Sequence, residues 1–193
     1  MNHPLTPETS DVPLAPGMRL PRSERTRLSE EAVAEIRAIA GKYPDKLAGT
    51  LPALYIAQRE FGFVSLAAMK EVARALEVPE GHVFGVATFY TMFKTHPVGR
   101  FHLQVCTNVC CALNGARELL AKVAARTGAV PGEGPTPDGM WSLEEVECLA
   151  SCGSAPCLQV NEGVYDEFVD EARLEEILEA CRKGEYAAWG ERR

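Results

Sequence analysis

Through the first half of the chain, apolar residues recur every three or four positions, the period of amphipathic helices. From Ser29, a candidate N-cap, Val33, Ile36 and Ile39 fall on one face and Gly41 closes the segment. A second helix is expected over 48–61: Pro52 is tolerable only near the first turn, Leu54, Ala57 and Phe61 keep the spacing, and Gly62 stops it. A third covers 65–76, capped by Ser65, with Leu66, Met69, Val72 and Leu76 as its buried stripe. Pro79 opens a fourth stretch reaching about Val86. Together these predict a small helical bundle.

Thr95–Gly99, with His-Pro and Val-Gly, breaks the helical period and marks a hinge. Beyond it Phe101, Leu103 and Val105 alternate with His102, Gln104 and Cys106, the period of a strand. Helical spacing returns over 112–126 through Leu113, Ala116, Leu120 and Val123. Pro131–Gly139 reads as a loop, Trp141–Cys148 as an extended segment, Cys157–Val160 as a short strand and 171–183 as a terminal helix. The fold class expected is mixed α/β, a helical bundle over 25–97 followed by a small sheet domain over 98–193. Residues 1–24, with five prolines (Pro4, Pro7, Pro13, Pro16, Pro21), read as a flexible tail.

Charge narrows the partners. A net charge of −7 argues against nucleic acid, whose phosphates favour basic surfaces. No apolar run approaches the roughly 20 residues that cross a bilayer, so no direct membrane insertion is expected. The N-terminus has neither the pattern of a secretion signal nor a convincing transit peptide, which predicts a cytoplasmic location. In that compartment seven cysteines point to metal binding or redox chemistry rather than structural disulfides.

Two cysteine pairs fall at loop positions: Cys106 with Cys110 or Cys111, and Cys148 with Cys152 just before Gly153 and Pro156. A two-iron, two-sulfide rhomb needs two thiolates on each iron, which two short-range pairs supply. The helix beginning near Ala112 is expected to aim free amides at an anionic cluster, and Leu103, Val105, Leu149 and Leu158 to form an apolar wall. Zinc is the competing metal, but its knuckles often use C-x2-C pairs and neither pair is spaced so. A Rieske centre needs two histidines, and His3, His82, His96 and His102 all lie outside the cysteine loops. No C-x-x-C supports a thioredoxin-type dithiol. Cys181 lies on an apolar helical face and reads as a buried small hydrophobe; Cys157 reads the same way, with a weak claim to ligation. Spacing leaves Cys110 and Cys111 as open alternatives, since 106–110 repeats the C-x3-C of the second pair.

The stretches GVATFYTMFKTHPVGRFHLQVCTNVCCAL (85–113) and DGMWSLEEVECLASCGSAPCLQVNEGVYDEF (138–168) resemble the E-type subunit of bacterial NADH:quinone oxidoreductase, complex I, with its thioredoxin-like [2Fe-2S] domain. The resemblance extends from about Leu28 and leaves out the tail and the last residues. Its C-x4-C and C-x3-C motifs imply cluster ligands Cys106, Cys111, Cys148 and Cys152. Cys110 falls where proline is common and Cys157 where methionine is common. The resemblance further implies a partner flavoprotein subunit that binds FMN and NADH, other subunits of the hydrophilic arm, and a place peripheral to the inner membrane. FMN and NADH belong to the partner: the chain has no G-x-G-x-x-G after a strand and no P-loop, and no catalytic site of its own is expected. The equivalent subunits of NAD-linked formate dehydrogenases and hydrogenases share this module, and a zinc-holding assembly module is the non-redox alternative. Phe89, Tyr90 and Phe93 bring three rings to the hinge, either for packing or for anchoring the partner.

Overall fold

A computed structural model of the chain describes residues 27–163 and 165–190, so the tail expected over 1–24 lies outside the described residues. Helix α1 (Glu30–Ala40) starts where Ser29 Oγ accepts from the Ala32 amide at 3.2 Å. The same Ser29 hydroxyl donates to Glu60 at 3.0 Å, which ties the start of α1 to the end of α2 (Thr50–Phe61). Gly62 takes a φ of 84° and turns the chain out of α2. Helix α3 (Leu66–Leu76) is capped by Ser65 as expected. Leu66, however, is 48% exposed: as the first residue of α3 it lies before the stripe of Met69, Val72 and Leu76 meets the core. Helix α4 (Glu80–Phe89) runs past the expected Val86, because nothing in Ala87–Phe89 breaks it and Ala87 is itself buried. These four helices share one apolar core built on Ile36, Leu54, Phe61, Val72 and Val83.

The second half holds a four-stranded sheet of order β2-β1-β3-β4. Strand β1 (Phe101–Cys106) runs parallel to β2 (Trp141–Val146), in register from Phe101 opposite Trp141 to Cys106 opposite Val146. Strand β3 (Leu158–Val160) lies antiparallel on the other edge of β1, and β4 (Tyr165–Asp166) continues from β3. The expected helix over 112–126 is two helices, α5 (Val109–Leu113) and α6 (Ala116–Thr127). Gly115, with a φ of 88°, breaks the period between them and leaves Leu113 82% exposed, off the stripe to which its spacing assigned it. Helix α7 (Glu171–Lys183) spans the expected residues, with Asp170 accepting from the Arg173 amide at 2.8 Å. Phe101, Leu103, Leu143, Leu174 and Ile177 belong to a separate core under this sheet.

Alternation along β1 predicts one wet face, yet His102 is 3% exposed. A polar chain accounts for its burial. The Gly99 amide donates to Ser142 Oγ at 2.9 Å, and the His102 ring bridges Ser142 Oγ at 2.8 Å and Glu144 at 2.9 Å. With the proton on Nε2, every link has one donor and one acceptor. Glu144 also pairs with Lys94, buried at 4% exposure, and the Lys94 amide donates to Gln58 of α2 at 2.8 Å. Burial opposes it, but the hydrogen bonds from His102 and Lys94 hold the Glu144 carboxyl down at about 2. Trp189 completes this seam, its indole N–H donating to Gly62 O at 2.5 Å. The helical half is thereby fastened to the sheet at the opposite end of β1 and β2 from their C-termini.

A candidate metal centre at the ends of two parallel strands

Parallel pairing brings the C-terminal ends of β1 and β2 out of the sheet side by side, and the cysteine loops begin there. Cys106 is the last residue of β1, opposite Val146. The Thr107 amide continues the ladder to Val146 O at 3.1 Å, and Asn108 Nδ2 donates to Glu147 at 3.2 Å, so the two loops stay adjacent. Asn108 then caps α5 by accepting from the Val109 amide at 2.8 Å. Because α5 starts at Val109 and not near Ala112, Cys111 sits within the helix. Successive residues there differ in direction by roughly 100°. Cys111 is thus 1% exposed and faces the interior with Cys106, while Cys110 is half-buried and hydrogen-bonds toward Cys152.

On the second loop Cys148 and Cys152 place their Sγ atoms 3.5 Å apart, both exposed. Leu149, between them, packs against the small apolar cluster of Cys106, Cys111, Ala116 and Cys157. Leu149 also donates its amide to the Cys106 sulfur, as does Asn108. Of the expected apolar wall, Leu149 packs against the cysteines together with Val146 and Ala155, whereas Leu103, Val105 and Leu158, though fully buried, belong to the core under the sheet.

Sulfur-directed amides favour negative sulfur at Cys106, whereas burial or a neighbouring thiol opposes it at Cys111, Cys152 and Cys157. Burial alone would raise the Cys106 thiol, but the Leu149 and Asn108 amides and the neighbouring Cys111 and Cys157 bring it below the usual thiol value. Burial keeps Cys111 above that value, although the Cys157 amide donates to it. At the exposed pair, the Cys148 thiol beside it pushes Cys152 up to about 11, and the Ala150 amide donates to Cys148 Sγ at 3.3 Å. Ala150 holds a φ of 64°, a left-handed conformation that an L-residue rarely adopts. An all-sulfur donor set served by backbone amides suits an iron–sulfur group. The donor amides come from Leu149, Asn108, Cys157 and Ala150, not from a helix at Ala112; a five-residue α5 has little dipole to offer.

Cys157 stands closer than its sequence suggested. It is fully buried, as a small hydrophobe would be, but its Sγ and those of Cys106 and Cys111 all lie within 4.8 Å of one another. The antiparallel pairing of β3 with β1, extended by the Cys106 amide donating to Cys157 O at 3.2 Å, brings it there. That long-range pairing leaves no trace in cysteine spacing. Cys181 packs in the sheet core, where burial pushes its thiol up to about 12. His102 serves the buried polar chain described above and touches no cysteine loop.

A family model of thioredoxin-like [2Fe-2S] ferredoxins matches residues 36–182. An E-type subunit of NADH-quinone oxidoreductase from Rhizobium meliloti (strain 1021) is 46% identical over 151 residues, 78% of this chain and 89% of that protein. NADH-quinone oxidoreductase subunit 2 of Thermus thermophilus is 42% identical over 145 residues, 74% of this chain and 80% of that protein. Among solved structures, the air-oxidized NAD+-reducing [NiFe]-hydrogenase aligns with a TM-score of 0.60 at 24% identity over 70% of this chain, but only 23% of the hydrogenase chain. That likeness bears on the fold. With a matched span that runs from within α1 to within α7, and so takes in most of both halves, the chain belongs to the thioredoxin-like [2Fe-2S] ferredoxin family.

Proposed function

We propose that this chain is the iron–sulfur electron-transfer subunit of a respiratory NADH:quinone oxidoreductase. It holds one [2Fe-2S] cluster on Cys106, Cys111, Cys148 and Cys152 and takes single electrons from the FMN of a partner subunit that oxidises NADH. The observation that carries this reading is a buried pair, Cys106 and Cys111, whose sulfurs lie within 4.8 Å of each other, and an exposed pair, Cys148 and Cys152, whose sulfurs lie 3.5 Å apart, on loops that leave the paired ends of β1 and β2. When bound, the group supplies a one-electron redox centre. The chain's residues do the rest. Cys106 and Cys111 anchor the inner side, Cys148 and Cys152 the outer, and the amides of Leu149, Asn108, Cys157 and Ala150 offset negative charge on the sulfurs. Val146, Leu149 and Ala155 pack against the inner cysteines and keep water from that side. The helix direction of Cys111, inward beside Cys106, supports it over Cys110 as the ligand.

The partner reading rests on the relatives' names and on the rim of the site. Val109 (64% exposed) and Leu113 (82%) stand on α5, which carries Cys111, and Phe168 (67%) adjoins the outer loop through its amide on Ser154 O; together they offer apolar surface suited to a docked flavoprotein. Of the three hinge aromatics, Phe93 packs on Tyr55 with ring centroids 5.1 Å apart, while Phe89 is 77% exposed and available to a partner. No helix among the described residues is long and apolar enough to cross a membrane, so we read the chain as bound to the membrane through its complex. We keep the division at 97/98 between bundle and sheet domain because the two cores are separate clusters. A second reading, the same module in an NAD-linked hydrogenase or formate dehydrogenase, draws on the hydrogenase fold likeness; the 46% and 42% identities favour the quinone-reducing complex.

Co-purification with the flavoprotein, followed by reduction with NADH at low temperature, tests the function. A two-iron EPR signal that appears with NADH and is absent from the isolated chain given NADH supports the reading. A chain that never associates with a flavoprotein refutes it.

A further inference from the structure

The buried side of the site holds more sulfur than two ligands require. Resting on the four-cysteine reading above, we propose that Cys157 is a reserve iron ligand, able to replace Cys111 on the inner side of the cluster. Three observations converge. Its Sγ lies 3.8 Å from Cys111 Sγ, and the three inner sulfurs lie within 4.8 Å of one another. Its position is fixed by the sheet rather than by a mobile loop, since it adjoins β3 and its carbonyl accepts from the Cys106 amide at 3.2 Å. It is also fully buried on the same side as Cys106 and Cys111, inside one apolar cluster with them, so no solvent path or rearranged strand separates it from the metal side. A thiol shift of one or two ångströms, within reach of a χ1 rotation, exchanges one ligand for the other. Cys181, also buried, lies in a different core and has no such claim.

The exchange is redox-neutral. In the exchange the bond from iron to Cys111 Sγ would break and one to Cys157 Sγ would form, the Cys157 thiol proton would pass to the released Cys111 thiolate, whose Sγ lies 3.8 Å away, and neither iron would change oxidation state. Thiolate replaces thiolate, so the electron count at the metal is preserved.

Alanine variants test this, because alanine, unlike serine, offers no oxygen to iron. The full chain is purified anaerobically and read by iron and acid-labile sulfide content, and by EPR after dithionite reduction. Cys111→Ala should keep about two irons per chain, with g values displaced from those of the unaltered protein, since the replacement sulfur approaches from a different direction. Cys111→Ala combined with Cys157→Ala should lose the cluster. Cys157→Ala alone should retain iron and sulfide, which shows that the smaller side chain leaves the site foldable; its far-UV circular dichroism guards the same point. Equal loss of iron in Cys111→Ala and the double variant overturns the proposal while leaving the four-cysteine reading intact. Loss of the cluster in Cys157→Ala with an unaltered spectrum in Cys111→Ala overturns both, making Cys157 the resident ligand.

Discussion

The two thiol pairs are built differently. Cys106 and Cys111 are each 1% exposed, one on the central strand and one on a capped helix, with amide donors and an apolar wall around them. Cys148 and Cys152 are exposed, on a loop between β2 and β3 whose main regular feature is the short 3-10 turn Cys152–Ser154. The inner half of the site is built into regular elements, whereas the outer half sits on a loop held by hydrogen bonds among Ser151, Ser154 and Glu167 and by the Phe168 amide donating to Ser154 O at 2.8 Å. That division suits an electron carrier: a rigid inner wall sets the environment, and an exposed outer pair brings the redox group near the surface from which electrons arrive.

Removing the metal should give the largest contrast. Amides of 147–155 should exchange at least about tenfold faster in the metal-free chain, while those of Thr107 and Ala112 change little, because local opening follows the stability of the local structure. Equal changes in both loops would erase the distinction. Next in size is the platform the pairs share. A Cβ on Gly99 would lie 2.5 Å from the Trp141 carbonyl carbon and 2.7 Å from the Ser142 nitrogen, contacts with backbone that cannot yield. Gly99→Ala should cost about 3 kcal/mol in a chemical unfolding series, since it forces β1 and β2 apart. It should weaken metal retention at both pairs.

A smaller effect is expected at the seam. Glu144→Gln leaves Lys94 buried without its counter-charge; complete burial would make this roughly 3–5 kcal/mol, and about 2 kcal/mol is expected because Glu144 keeps a third of its exposure. The pH dependence has a definite sign. The Glu144 carboxyl sits at about 2 against an ordinary 4.5, so its contribution is present above 4.5 and is lost as pH falls from 4.5 toward 2. His102, held below its ordinary 6.5 chiefly by burial, resists a proton that the unfolded chain accepts, so it too favours unfolding as pH drops below 6.5. Thermal midpoints of the metal-free chain should fall with acid, and Glu144→Gln should flatten the part of the curve below 4.5. The smallest change isolates the outer pair. Ala150→Gly relieves the left-handed strain at φ 64° but loosens the unfolded chain, for a net gain of about 0.5 kcal/mol. Its effect should appear in the outer loop and leave Cys106 and Cys111 untouched.

Much of this architecture can be read from local patterns. Caps Ser29 and Ser65 and the stop at Gly62 mark helix boundaries because each acts through its immediate neighbours. The terminal helix and β1 follow from strong periodicity in the same way. What escapes depends on tertiary geometry. Strand β4 is only Tyr165–Asp166, too short for alternation to register, and it forms because β3 offers an edge. The break at Gly115 hides inside otherwise good helical spacing and sends Leu113 outward. At the site, spacing finds the pairs but not the company they keep. Cys157 reaches Cys106 and Cys111 through antiparallel pairing across some fifty residues of chain, and the choice between Cys110 and Cys111 turns on the direction of a helix whose start spacing misplaced.

Four thiolates from two unlike pairs are proposed to hold two irons and two sulfides. Iron, zinc and acid-labile sulfide measured together on anaerobically purified protein test this most directly. Two irons and two sulfides per chain with negligible zinc are expected, with an EPR signal that appears only on reduction; one zinc per chain without sulfide would rule the cluster out.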